Sequence, residues 1–140
     1  MSLFKGIQFA PILTQIHAQA FSEPWSTDTF SSLLKLPTTL GWANEYGFLL
    51  VSDLGDTLEI LTLAILPQHQ RQGLATQLLL EMCNWAKQQG KKAVFLEVAQ
   101  DNDKAKSLYT KLGFQITGKR SGYYKRANTH IDAICMTLSL

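Results

Sequence analysis

The sequence predicts a single α/β domain, spanning residues 1–140, on a mixed, mostly antiparallel sheet of about six to seven strands with about four helices. Strand-type segments between Thr39 and Leu66 are joined by tight turns, which is the signature of an antiparallel meander. From there to the C-terminus, strand-type and helix-type patterns alternate. The long helical pattern from Gly73 to Gln89 crosses between two apolar strands, and such a crossover makes them parallel.

The elements follow in order. After an extended piece at Gly6–Ala10, Pro11 opens a helix, since the first helical turn needs no amide donor there. Ile12, Ile16 and Ala20 follow at helical spacing. A second helix begins after Ser26, presents Phe30, Leu33 and Leu34, and stops before Pro37. Strands are expected at Thr39–Ala43, Phe48–Asp53 and Thr57–Leu66, with turns at Asn44–Gly47 and Leu54–Asp56. The last of these is almost continuously apolar, as in a strand covered on both faces. In the helix from Gly73 to Gln89, Leu74, Leu78, Met82 and Trp85 recur at helical spacing and Gly90 ends the run. Ala93–Val98 reads as a buried strand. Asn102 to Leu112 reads as a helix with Ala105, Leu108 and Leu112 inward and Gly113 just past its end. Phe114–Lys119 and Ile131–Leu138 close the sheet.

Composition narrows the function classes. Thirteen Lys plus Arg against eleven Asp plus Glu leave a net charge of +2, with no basic run to serve as a nucleic-acid footprint. Cys83 and Cys135 match no metal or redox spacing and read as buried thiols in a reducing compartment. His17, His69 and His130 are scattered, so no metal site is expected. Ala18-Gln19-Ala20 looks like a signal-peptidase site, yet Gln8, Pro11, Gln15 and His17 break the apolar stretch before it. No segment approaches the roughly 18 apolar residues of a membrane span. The reading is a cytoplasmic protein without membrane association, a monomer or weak dimer.

The chemistry concentrates in Gln70-Arg71-Gln72-Gly73-Leu74-Ala75-Thr76, where a strand ends, a turn carries Arg and Gly, and a helix begins. The first amides of a helix have no internal partners and sit at the positive end of its dipole, so they can bind an anion. A βα connection with one glycine chosen for its dihedrals would show the same features. The form Q/R-x-x-G-x-G/A resembles the pyrophosphate loop of the GNAT acetyltransferases. Leu96-Glu97-Val98 followed by Asn102, and Leu108-Tyr109 followed by Leu112-Gly113-Phe114, resemble that family's later segments at matching separations. Phe21 to Trp25-Ser26, Tyr123-Tyr124 and Asp132-Ala133 are similar to one branch of it, the RimI-type ribosomal-protein alanine N-acetyltransferases. The likeness runs from about Phe21 to Leu138. Thr62 departs from it, since an Asn is common there, as does Lys125, where a proline is frequent.

The resemblance implies a GNAT fold and an N-acetyltransferase using acetyl-CoA as co-substrate, with a peptide or protein N-terminus, such as that of a ribosomal protein, as acceptor. Backbone groups of Leu63, Ala64 and Ile65 would hold the pantetheine arm as an added strand does. Amides of Arg71, Gln72, Gly73, Leu74, Ala75 and Thr76 would hold the pyrophosphate. Asn102 would bond near the thioester, although its residue type equally suits a helix cap. Glu97 is the candidate general base, with Glu59 on the neighbouring strand as the alternative. Tyr109 is the candidate acid. Phe21, Trp25, Tyr123 and Tyr124 would frame the acceptor, the alternative being that Phe21 and Trp25 only staple two helices together.

Only a neutral amine attacks a thioester. At pH 7 roughly a tenth of an α-amine is neutral, against less than about a thousandth of a lysine side chain. A weak base therefore suffices for an N-terminus, by direct attack without an acyl-enzyme. Acetylation of a small-molecule amine and a non-catalytic acyl-CoA-binding module remain the competing readings.

Overall fold

The computed structural model describes residues 2–140. Its strands are β1 (Ser2–Phe4), β2 (Thr39–Asn44), β3 (Gly47–Asp53), β4 (Thr57–Ile65), β5 (Ala93–Ala99), β6 (Gln115–Arg126) and β7 (Thr129–Ser139). Its helices are α1 (Ala10–Ala20), α2 (Thr27–Leu34), α3 (Leu74–Gln88) and α4 (Asp103–Lys111). The strands form one sheet in the order β1-β2-β3-β4-β5-β7-β6, antiparallel except for the β4–β5 pair. The parallel pair is the one that the α3 crossover demands.

Each face of the sheet buries its own core. On one side Leu58, Ile60, Val94 and Leu96 pack against Leu78, Leu79 and Met82 of α3. On the other, Phe48, Leu50 and Ala64 pack against Leu13 of α1 and Phe30 and Leu34 of α2. The end of β4 serves both sides, because Ala64 and Ile65 are each buried in a different cluster. Among the described residues no helix is long and apolar enough to cross a membrane.

Three expectations are corrected. Gly6–Ala10 is not extended: Gly6 sits at φ 107°, and Ile7–Phe9 forms a 3-10 turn that runs into α1, the first strand lying earlier at Ser2–Phe4. The buried stripe of α1 is Ala10, Leu13 and His17, while Ile12 is 48% exposed. Ile16 and Ala20 still pack, partly buried, against the core beneath α1, so of the three only Ile12 turns outward, and His17 takes an inward place where it finds hydrogen-bond partners. Finally, β6 and β7 run well past Lys119 and start before Ile131. As the outermost strand, β6 can carry polar side chains on its open side, so its far half shows no apolar alternation.

Candidate active site

The parallel pair splits. β4 pairs with β5 only over Thr57–Glu59 against Ala93–Phe95. Beyond that, the β3–β4 register slips at Leu50/Val51, leaving Leu61 as an extra residue in β4. Leu61 packs on the α1–α2 side, and so does Thr62, whose hydroxyl bonds His17 of α1. Two successive side chains on one face are the mark of a β-bulge, which bends the strand. β4 then follows β3 while β5 follows β7. A cleft of about 470 Å³ opens between them, with Leu61, Thr62 and Leu63 on one wall and Leu96 to Ala99 on the other.

In the stretch beside the cleft one edge of β4 carries backbone groups with no strand partner among the described residues. Leu66 N–H bonds Tyr46 O on the β3 side at 2.8 Å. By period-two alternation Ala64 also turns its main chain to β3, and Leu63 and Ile65 turn theirs to the open side. The Ile65 carbonyl agrees, accepting from the Gln70 side chain at 3.0 Å.

That bond braces the loop into α3. Gln70 also accepts from Lys104 Nζ of α4 at 2.8 Å, which places a cation beside the loop. Arg71 (φ 63°) and Gly73 (φ 79°) both take left-handed backbone. A side chain at Gly73 would meet nothing within 4 Å, so glycine is needed there for its dihedral rather than for room. The first backbone bond of α3 runs from Gln77 N to Gly73 O, leaving the amides of Leu74, Ala75 and Thr76 outside the helical ladder. Ser26 caps α2 and Asn102 caps α4, yet α3 has no side-chain cap. Its N-terminus is open to an anion.

On the β5 wall, Glu97 projects away from the Val94, Leu96 and Val98 face, as strand alternation requires. Arg120 Nη1 of β6 donates to Glu97 Oε1 at 2.8 Å, while Glu97 Oε2 is buried with no hydrogen-bond partner. Glu59 stands on the adjacent strand with its carboxyl pushed up, by burial first and by the charge of Glu97 second. It does not line the cleft, whereas Glu97 does. Tyr109 of α4 lines it too, its ring edge-on to Phe114 at 5.4 Å. Burial pushes its phenol well above the ordinary value, so it keeps its proton. Asn102 lines the same cleft while its Oδ1 accepts from Ala105 N at 3.1 Å. Its cap role is real and its amide nitrogen stays available.

The end of the cleft at α1 and the loop after it is built around a residue that the sequence did not single out. His17 is buried and stacks on Phe21 at 4.2 Å and Trp25 at 5.1 Å, with Phe30 edge-on at 5.3 Å. Its Nδ1 accepts from Trp25 N–H at 3.1 Å, and its Nε2 lies 3.1 Å from Thr62 Oγ1. Burial lowers its pKa to about 4. Phe21, Trp25 and Tyr124 line the cleft. Tyr123 does not: it is half-exposed and supports the Arg120 guanidinium 3.8 Å above its ring. The paired tyrosines are set by a register shift in β6, which Asp132 clasps by accepting from Gly122 N at 2.8 Å. Cys83 is buried inside α3 with its thiol pushed up by burial, and it takes no part.

Comparison with known proteins decides what this arrangement belongs to. Residues 10–114 match the family described as "Acetyltransferase (GNAT) family". The chain belongs to the GNAT acetyltransferases. This GNAT chain is 32% identical to the "[Ribosomal protein bS18]-alanine N-acetyltransferase" of Salmonella typhimurium over 93% of its length and 90% of that protein. It is 32% identical to the "N-alpha-acetyltransferase RimI" of Mycobacterium tuberculosis, over 79% and 75% respectively. The crystal structure of the Escherichia coli ribosomal-protein-S18-alanine N-acetyltransferase superposes with a TM-score of 0.89 at 28% identity, covering 99% of this chain and 92% of that one. The chain is an N-acetyltransferase.

For a GNAT enzyme the structure gathers Glu97, Tyr109, Asn102 and Leu63 in one cleft with Phe21, Trp25 and Tyr124. Arg71 to Thr76 form the open helix end next to it, joined through Gln70 and Lys104. His17, Arg120 and Lys104 were not legible beforehand. Each acts through a partner remote in sequence, and only the unusual Thr62 gave a hint.

Proposed function

We propose that the chain transfers the acetyl group of acetyl-CoA to the α-amine of a protein N-terminus, of the ribosomal-protein alanine type. The observation that carries this is the split between β4 and β5, with Glu97 and Tyr109 both facing the cleft it opens. The likeness to the Salmonella typhimurium enzyme along nearly all of both chains supports the choice of acceptor.

The residues present fit acetyl-CoA. The amides at the start of α3, with Arg71 and Lys104 nearby, suit the diphosphate. The main chain of Leu63 and Ile65 suits the pantetheine arm, with Ala64 turned to β3, and the free amide nitrogen of Asn102 suits the region of the thioester. Arg120 occupies one oxygen of Glu97 and leaves Oε2 to take a proton from the amine, directly or through one water. The neutral amine attacks the acetyl carbonyl, the C–N bond forms as a nitrogen proton passes to Oε2, and the C–S bond breaks to release CoA as its thiolate. Tyr109, held protonated by burial, donates a hydrogen bond to the departing sulfur.

The test is incubation with acetyl-CoA and peptides beginning Ala, Ser or Met, following free thiol. Turnover on at least one peptide is expected. Turnover confined to polyamines or aminoglycosides would replace this reading with small-amine acetylation. Stabilisation by CoA without transfer to any amine would leave a binding module.

A further inference from the structure

The hydrogen-bond roles at His17 are closed by logic. Trp25 N–H can only donate, so His17 Nδ1 must accept and carries no proton. A neutral imidazole then has its proton on Nε2, which donates to Thr62 Oγ1. The imidazolium form is excluded because a second proton on Nδ1 would face the Trp25 N–H, and burial disfavours the charge as well. The Thr62 hydroxyl therefore receives a bond from His17 and cannot give one back. Its own proton must go elsewhere, and among the described residues its side-chain hydrogen bond is to His17. Thr62 lines the cleft, one residue before Leu63 and across from Glu97. The wall beside it holds the apolar Phe21, Trp25 and Leu61 together with the polar Ser22 and Glu23.

We infer that Thr62 is a specificity residue that donates its hydroxyl proton to the first backbone carbonyl of the acceptor peptide, and that His17 is the positioning residue aiming it. The inference rests on the N-terminal reading above and deepens it. An α-amine at a protein N-terminus always has a carbonyl on the adjacent carbon, whereas polyamines and the amino sugars of aminoglycosides have no acceptor of that kind there. A donor held at this point of β4 rewards a peptide and not a free amine. The same imidazole, sandwiched by Phe21 and Trp25 and bonded to the Trp25 backbone, locks the loop that frames the acceptor.

The experiment compares an Ala-starting peptide with its isostere in which the first amide is a trans-alkene, so that shape is kept and the carbonyl is lost. Compared at equal concentrations of neutral amine, since the allylic amine of the isostere is the more basic, wild type should favour the amide peptide by about tenfold in kcat/KM, the scale of one neutral hydrogen bond. Thr62→Val should lose about that factor on the amide peptide, keep its rate on the alkene, and leave the KM for acetyl-CoA unchanged. Thr62→Ser should restore the preference. His17→Gln, which can still donate to Thr62, should keep more of it than His17→Phe. In the free protein, nitrogen NMR of the His17 ring should show the Nε2–H tautomer at pH 6, a readout that needs no turnover. Equal losses on both acceptors in Thr62→Val, or an Nδ1–H tautomer, would overturn the inference. If wild type acetylates no peptide at all, the N-terminal reading itself fails and the carbonyl contact falls with it, while the NMR result still reports on the His17–Thr62 bond.

Discussion

Arg120 Nη1 lies 2.8 Å from Glu97 Oε1, and the other oxygen of that carboxylate is buried and unbonded. The arginine is about half exposed, so the pair adds little to stability. Its value is directional. One oxygen is tethered to β6, and the second is left unbonded on the cleft wall. The tether is itself held, because the guanidinium rests on the Tyr123 ring.

Glu97→Gln should lower kcat by about a hundredfold or more, the usual contribution of a positioned base. Acetyl-CoA affinity, read by calorimetry, should stay near wild type. The deficit should narrow as pH rises toward the α-amine pKa, since the amine then loses its proton unaided. Glu59→Gln in the same thiol-release assay should stay within a few-fold of wild type. The reverse pattern would move the base to Glu59.

Tyr109→Phe keeps the ring packed on Phe114 and removes only the hydroxyl. Turnover should fall by about tenfold or more through loss of the donor to the leaving sulfur. The melting temperature should change little, because burial of the ring is retained. Wild-type rates in this variant would make Tyr109 a packing residue.

Gly73→Ala introduces no clash, since its Cβ meets nothing within 4 Å, but it forces a side chain onto φ 79°. That backbone costs about 1 kcal/mol for an L-residue. Urea unfolding should show a loss of that order. CoA binding should weaken about tenfold as the α3 amides shift. Unaltered affinity would remove this helix end from the diphosphate site.

His17 links stability to pH. Its folded pKa is about 4 against an ordinary 6.5, so between these values the unfolded chain binds a proton that the native protein does not. Stability is therefore fully present above pH 6.5 and declines as pH falls toward 4, by up to about 3 kcal/mol. Glu59, with its carboxyl pushed up, acts in the opposite sense, and it is common to wild type and variant. Urea midpoints at pH 7 and pH 4.5 should converge for His17→Asn relative to wild type. Equal pH dependence in both would mean that the imidazole is not held neutral.

The backbone plan could be read from the chain because it rests on local patterns. Leu78 and Met82 recur at helical spacing and are buried in α3; Phe48, Leu50, Leu58 and Ile60 are buried on strands that were expected there. Gly73 announced the left-handed entry to α3, and Asn102 announced the cap of α4. Less could be read at α1, where Ile12 was the obvious apolar residue and His17 the obvious polar one, yet Ile12 is exposed and His17 buried. Hydropathy assigns a histidine to solvent. It takes Thr62, 45 residues away, and Trp25 N–H to make its burial favourable.

The order of strands and helices and the glycine-bearing turn into α3 were thus present in residue types and their spacing, while the choice of Glu97 and Tyr109 came with the family resemblance. The opening of the cleft was present in neither. It depends on a bulge at Leu61, where β4 leaves β5, and a bulge is a mismatch between two strands that neither carries alone. The tethering of Glu97 by Arg120 and the aiming of Thr62 by His17 are of the same kind. Hydrogen bonds need atoms within about 3 Å, and only the folded chain brings together groups on β5 and β6, or on α1 and β4, at that distance.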